Sequence, residues 1–244
     1  MKSFVLRISL IVVSLLLGAC LGGREEFWFE RDGSGRLQAE YRLPMFAIAS
    51  LGGEEKLRKT IAEFFSREPG IVLETFAVEK KGSEARLRLH AKFDSVLHLS
   101  RLLDQPGNEE SGSSLPDPMV KLLGDVKVAR AGLDVDFQRK IDPREVFAGG
   151  LVTPTASQMQ GYQLEYIMHL PTSAKHSNAH QVSDGGRTLT WRYELADAMK
   201  SPVQTNFVTP VPIPQWCWFL LVFVAALSIW TVSRWLSRRR RGRG

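Results

Sequence analysis

Asp134 and Asp136 stand two apart in Leu133-Asp-Val-Asp-Phe137. On a strand that spacing puts both carboxylates on one face, where they can hold a hard cation or divide acid and base work. Leu133, Val135 and Phe137 occupy the other phase, so the plainer expectation is the wet face of a half-buried strand. His176 and His180 stand four apart with His169 upstream, the spacing of a metal site if the segment were helical. Lys175, Ser177 and Asn178 surround them without an acidic or thiol ligand, which favours loop histidines. Asp32-Gly33-Ser34-Gly35 lacks the remaining ligands of a calcium loop and reads as a turn. The chain has no GxxxxGK, HExxH, GxSxG or strand-to-helix GxGxxG. No catalytic residue, metal or cofactor is therefore assigned. A cofactor-free hydrolase built from scattered residues stays open, because triads are defined by geometry and not by order.

Cys20 is the side chain whose surroundings specify a reaction. Lys2 and Arg7 precede an apolar run from Ile8 to Leu17, followed by Gly18 and Ala19, the three parts of an export signal. The run is short of the roughly 20 residues that span a bilayer. Leu17-Gly18-Ala19-Cys20 resembles the bacterial lipobox, in which the chain is cut after the residue at Ala19 and the cysteine thiol carries a diacylglyceryl group. Residues 1–19 are then a signal peptide, and Cys20 carries a palmitate-type lipoprotein anchor worth about 0.8 kcal/mol per buried methylene. An ordinary signal peptide that happens to contain Cys20 is the alternative. The second cysteine, Cys217, lies in another apolar segment, so the region between has no disulfide, thiolate metal site or cysteine nucleophile.

That second segment, expected as a transmembrane helix over 215–236, has an uncharged stretch from Trp216 to Val232. Trp216 and Trp218 at one end, with Trp230 and Trp235 at the other, are spaced as interfacial belts. Arg238, Arg239, Arg240 and Arg241 follow in a basic tail over 237–244, which places the C-terminus in the cytoplasm and everything before the span outside it. The net charge of +6 is misleading as a whole-chain figure. Eight of the 32 Lys and Arg lie in the two ends, leaving 24 bases against 26 acids between them. This excludes a basic nucleic-acid-binding domain, and no nucleic-acid partner is expected. The expected address is the cell membrane, lipid-anchored and single-pass.

The elements between the ends are mostly hairpins. Phe27 and Phe29 alternate with Glu26, Trp28 and Glu30, the Asp32–Gly35 turn follows, and Leu37, Ala39 and Tyr41 resume the period of two. Glu54 to Arg67 carries Leu57, Ile61, Phe64 and Phe65 at helical spacing and stops at Pro69-Gly70. Further strand pairs are expected at 71–80 with 85–93, 125–130 with 133–139, and 162–170 with 187–195. A short helix is expected after Asp94 or Ser95, and residues 105–118 read as a surface loop. The chain over 201–214, marked by four prolines, is expected as an extended stalk. The fold class is then α+β over 20–200, an antiparallel sheet of hairpins with one or two packed helices, plus the C-terminal transmembrane helix.

His169-Leu-Pro-Thr172, Ser177-Asn-Ala179 and Ser183-Asp-Gly-Gly-Arg-Thr-Leu-Thr-Trp191 together resemble the closing hairpin of the LppM-like lipoprotein domain. Pro171-Thr172 departs from that family's Pro-Gly pair. The resemblance implies an α+β envelope domain with a role in binding lipid or glycolipid, and no catalytic residues. The expected function is a non-catalytic lipoprotein domain whose partners are the bilayer and an envelope lipid, a glycolipid or another membrane protein. The alternatives are an assembly factor of a membrane complex and the cofactor-free hydrolase.

Overall fold

The computed structural model describes residues 22–66, 69–96, 124–148 and 161–212, with 98, 159 and 223 as single positions. Strand β1 (Gly22–Phe29) turns back into β2 (Gly35–Pro44). The turn closes because Asp32 Oδ1 accepts both the Ser34 N–H at 3.0 Å and its hydroxyl at 2.6 Å. Gly33 takes the left-handed φ of +88° that the turn needs. Helices α1 (Met45–Ser50) and α2 (Gly53–Ser66) follow. Leu57, Thr60, Ile61 and Phe65 form the buried stripe of α2, so the expected helix is present. Strands β3 (Ile71–Lys81) and β4 (Glu84–Phe93) make the second hairpin, with a bulge between Leu73 and Thr75. Strands β5 (Asp125–Ala131) and β6 (Asp134–Ile141) make the third, followed by α3 (Pro143–Ala148). The chain continues through β7 (Gln163–His169), β8 (His176–Ser177), β9 (Gln181–Ser183), β10 (Thr188–Glu194), α4 (Leu195–Ala198) and β11 (Val203–Pro210).

Two sheets result. The larger runs β3-β4-β2-β1-β7-β10-β9 and the smaller β5-β6-β11-β8. The class is α+β, but two of its details differ from expectation. The large sheet is mixed, because β1 pairs in parallel with β7, Phe27 opposite Met168. A period of two reveals which residues share a face and says nothing about which distant strand lies alongside. The second difference is the stalk: Val203–Pro210 is strand β11, paired with β6 along its whole length. Its alternation decides this, since Val203, Thr205, Phe207 and Thr209 are buried in turn. Pro202 lies before the strand and Pro210 ends it, positions that spare the ladder its missing donors.

Both sheets and the helices share one apolar interior. Phe27, Leu87, Met168, Leu189 and Trp191 of the large sheet belong to the same buried cluster as Phe137, Ile141, Val203 and Phe207 of the small one, and Leu57 and Ile61 of α2. Phe137 and Phe207 stack across β6 and β11 at 4.9 Å. Trp191 is fully buried, and its indole N–H donates to Asn178 Oδ1 at 2.8 Å. The same oxygen accepts the Asn206 N–H of β11 at 2.8 Å, so one amide ties the large sheet to the small. The opposite face of the large sheet carries mostly charged side chains, with Ile167 and Thr190 buried among them.

The chain divides into two units, Met1–Val211 and Pro212–Gly244. The expected span and tail lie in the second, where the described residues are Pro212 and an exposed helical Phe223. Among the described residues no helix is long and apolar enough to cross a membrane. Residues 1–19, Cys20, the loop at 105–118 and most of the short helix after Asp94 lie outside the described residues.

Candidate functional site

The outward positions of the large sheet fall into rows, because a side chain in one strand stands beside its register partner in the next. Across β4, β2, β1, β7 and β10 one row reads Arg88, Glu40, Arg24, Glu165, Arg192. Its signs alternate, and its contacts include Arg88–Glu40 at 3.1 Å, Arg24–Glu165 at 3.7 Å and Arg192–Glu165 at 2.7 Å. Toward the far end of β1 a second row reads Lys92, Arg36, Trp28, His169, Thr188, with no acid in it. The Arg36 guanidinium lies over the Trp28 ring at 4.6 Å, and the His169 ring stacks on Trp28 at 5.1 Å. Strands β2 and β7 flank β1, so Trp28 is held between a cation and an imidazole.

His169 links the two rows. Its Nε2 is 2.8 Å from Glu26 Oε1, and its Nδ1 is 3.2 Å from the Thr188 hydroxyl. Burial alone would raise the Glu26 carboxyl, but hydrogen bonds from His169 and Arg24 outweigh it and hold the group below the usual carboxylate range. Carboxylate, imidazole and hydroxyl in line are the parts of an acid–base relay. However, β10 is paired at Thr188 on both edges, with His169 on one side and Ser183 on the other. A strand paired on both edges offers no pair of free amides to hold an oxyanion.

One residue back, β1 faces the interior. Glu25 and Arg139 are each 3% exposed and form a two-point pair, Nη1 to Oε2 at 2.5 Å and Nη2 to Oε1 at 3.2 Å. Tyr41 donates its hydroxyl to Glu25 Oε1 at 2.6 Å, and the Arg139 guanidinium lies 5.2 Å from the Tyr166 ring centre. Burial, then the Glu25 charge, pushes the Tyr41 phenol well above its usual range. Burial would lower Arg139, but the Glu25 carboxylate overrides it and holds the guanidinium charged. The pair joins β1 of one sheet to β6 of the other and is sealed from solvent. It is a pin between layers.

No family model matches the chain, and no curated protein matches it. Among solved structures, the NMR structure of the folded domain of LppM from Mycobacterium tuberculosis matches with a TM-score of 0.45 and 9% identity, covering 81% of this chain and 93% of that one. This is a distant likeness of backbone path.

The structure separates the residues that the sequence singled out. Asp134 pairs with Lys175 Nζ at 2.7 Å, while Asp136 accepts from the Gln138 amide at 3.2 Å. Among the described residues no group of three or more His, Cys, Asp or Glu could hold a metal. The three histidines go three ways. His169 joins Glu26, His176 is exposed in β8, and His180 Nδ1 accepts the Arg192 N–H at 3.0 Å. Asp32 spends its carboxylate on the turn, where hydrogen bonds from Ser34 hold it below its usual range. Cys20, Ala19, Trp216, Trp218, Trp230, Trp235 and Arg238 to Arg241 lie outside the described residues. Glu25 and Arg139 were not singled out, yet a signal for them exists. Glu25 falls in the phase of Phe27 and Phe29, and Arg139 in the phase of Phe137 and Ile141. A charge in the apolar phase of a strand needs a buried partner.

Proposed function

We propose that this chain is an envelope lipoprotein held at the membrane through Cys20, whose domain outside the cytoplasm is a non-catalytic binding module for an envelope lipid, a glycolipid or a membrane protein. The observation that carries this reading is the open face of the large sheet. There Trp28, Arg36, Lys92 and His169 stand together with no acid among them in their row, on a scaffold whose other face is filled by Trp191, Met168 and Leu189. Such a face can bind without rearranging, because its side chains are already set by cross-strand contacts. The full-length protein, extracted in mild detergent, is expected to carry a lipid or glycolipid visible by mass spectrometry and absent from a control lipoprotein. Loss of that species in an Arg36→Gln, Lys92→Gln variant would locate it on this face. A complement identical to the control counts against the lipid version.

A second reading has one specific observation behind it, the Glu26–His169–Thr188 line. In a hydrolase, Thr188 would be the nucleophile, His169 the base and Glu26 the residue that orients it. Turnover of acyl esters by the full-length protein, abolished in Thr188→Val with the fold intact, would favour this reading. Equal rates in the two proteins dispose of it.

A further inference from the structure

The outward positions of β2 and β4 carry five bases and two acids: Arg36, Arg42, Arg86, Arg88 and Lys92 against Glu40 and Glu84, with Gln38 and His90 among them. From neighbouring β3, Glu79 takes Arg88 and Glu74 takes Lys92. Arg42 stands opposite Arg86, and Arg36 opposite Lys92. Like charges in register work against the fold. Arg86 and Arg88 are both drawn to Glu40, at 3.3 and 3.1 Å, which leaves Arg36 and Arg42 unexplained by ion pairing within the sheet. Among the described residues neither Arg36 nor Arg42 meets a carboxylate. Each is parked over a ring instead, Arg36 on Trp28 at 4.6 Å and Arg42 toward Tyr162 at 5.8 Å. A guanidinium over an aromatic ring keeps N–H groups available to an anion.

The position of this stripe names the anion. Gly22 opens β1 opposite Arg42, and a Cβ on Gly22 would lie 3.2 Å from Arg42 Nη2. Cys20 is two residues earlier, and two residues reach at most about 7 Å. Acyl chains on Cys20 therefore bring Arg42 within a headgroup's depth of the bilayer. From Arg42 the stripe runs six residues along β2 to Arg36, about 20 Å at roughly 3.3 Å per residue. A single small anion would engage one end of it, whereas a layer of headgroups engages its whole length.

We infer that the bases of β2 and β4 dock the open face of the large sheet onto the anionic phosphate headgroups of the membrane that the Cys20 acyl chains enter. This rests on the reading of Cys20 as acylated and gives the open face a definite first ligand. A lipid anchor and a basic patch reinforce one another, since the anchor removes the cost of encounter and the patch fixes orientation. Trp28, half-buried between Arg36 and His169, presents an amphipathic edge at the same surface.

The test uses full-length protein in a Cys217→Ser background, reconstituted in nanodiscs of phosphatidylcholine with or without phosphatidylglycerol. A fluorophore is placed through Gln38→Cys on the proposed contact face, or through Gln138→Cys on the outer face of the small sheet. Headgroup-spin-labelled lipid should quench the label at 38 and not at 138, and only in the anionic discs. That quenching should vanish at about 1 M salt, where the screening length is about 3 Å. It should also vanish in Arg36→Gln, Arg42→Gln, which relieves the like-charge contacts with Lys92 and Arg86 and breaks no ion pair among the described residues. Equal quenching at both labels, or quenching indifferent to phosphatidylglycerol, overturns the docking. Mass spectrometry of the N-terminal peptide from the same preparation separates the two ideas. An acylated Cys20 without quenching at 38 refutes docking alone, and an unmodified Cys20 refutes the anchor and the docking together.

Discussion

Glu25 and Glu26 are neighbours in β1, and the pleat of the strand sends them to opposite sides of the large sheet. Glu25 is enclosed with Arg139 and Tyr41 between the layers, while Glu26 lies on the open face with Arg24 and His169. The tryptophans make the same comparison. Trp191 is sealed between the sheets, and Trp28 lies outside between Arg36 and His169. The lesson is that residue type does not say which side does which work. Inside, a charge is kept for geometry and must be answered; outside, it is screened by water and free to meet a partner.

The largest effects are expected on the inner side. Arg139→Met leaves the Glu25 carboxylate buried without its partner and should cost about 3–5 kcal/mol in urea unfolding. Adding Glu25→Leu to it should return much of that loss, and a double mutant no more stable than Arg139→Met would refute the pin. Trp191→Ala removes a fully buried ring and frees Asn178, for a similar loss of about 3–5 kcal/mol. On the outer side, Glu26→Gln should cost about 1 kcal/mol or less. It should also change the acid limb. The folded-state Glu26 carboxyl sits below its ordinary value of 4.5, so its stabilisation is complete above that pH and lost as pH falls through the lower folded-state value. The variant should therefore lose less stability than the parent in that window, and parallel pH profiles would show that Glu26 is not ion-paired. Smallest of all, Arg36→Gln should leave the unfolding midpoint unchanged or raise it slightly, because Lys92 loses a like-charged neighbour. A loss beyond about 1 kcal/mol there would mean that the outer face is structural after all.

Local order was legible in the sequence. The alternation in Phe27–Tyr41 and the Asp32 turn specify the first hairpin, and the spacing of Leu57, Ile61 and Phe65 specifies α2, because these signals act within a few residues. What joins distant residues was not legible. The parallel pairing of β1 with β7 depends on which edge is free once β2 has taken the other. The prolines near Val203–Pro210 suggested a stalk because proline counts against a strand interior, yet they stand at the margins of β11 and leave its alternation intact. At the open face, Trp28, His169 and Arg36 carry no motif. They are brought together by register, which no spacing within one segment encodes.

The place of β1 in the sheet has a consequence for how the chain acquires its structure. A chain that emerges N-terminus first can pair β1 with β2, and then add β4 and β3, from local hairpins that close quickly. The other edge of β1 has to wait for Phe27 to find Met168, far along the chain. Long-range parallel pairing of this kind is slow, and an unpaired central strand attracts other strands while it waits. The slow phase of refolding, and the window in which the protein aggregates, should therefore belong to the β1–β7 seam.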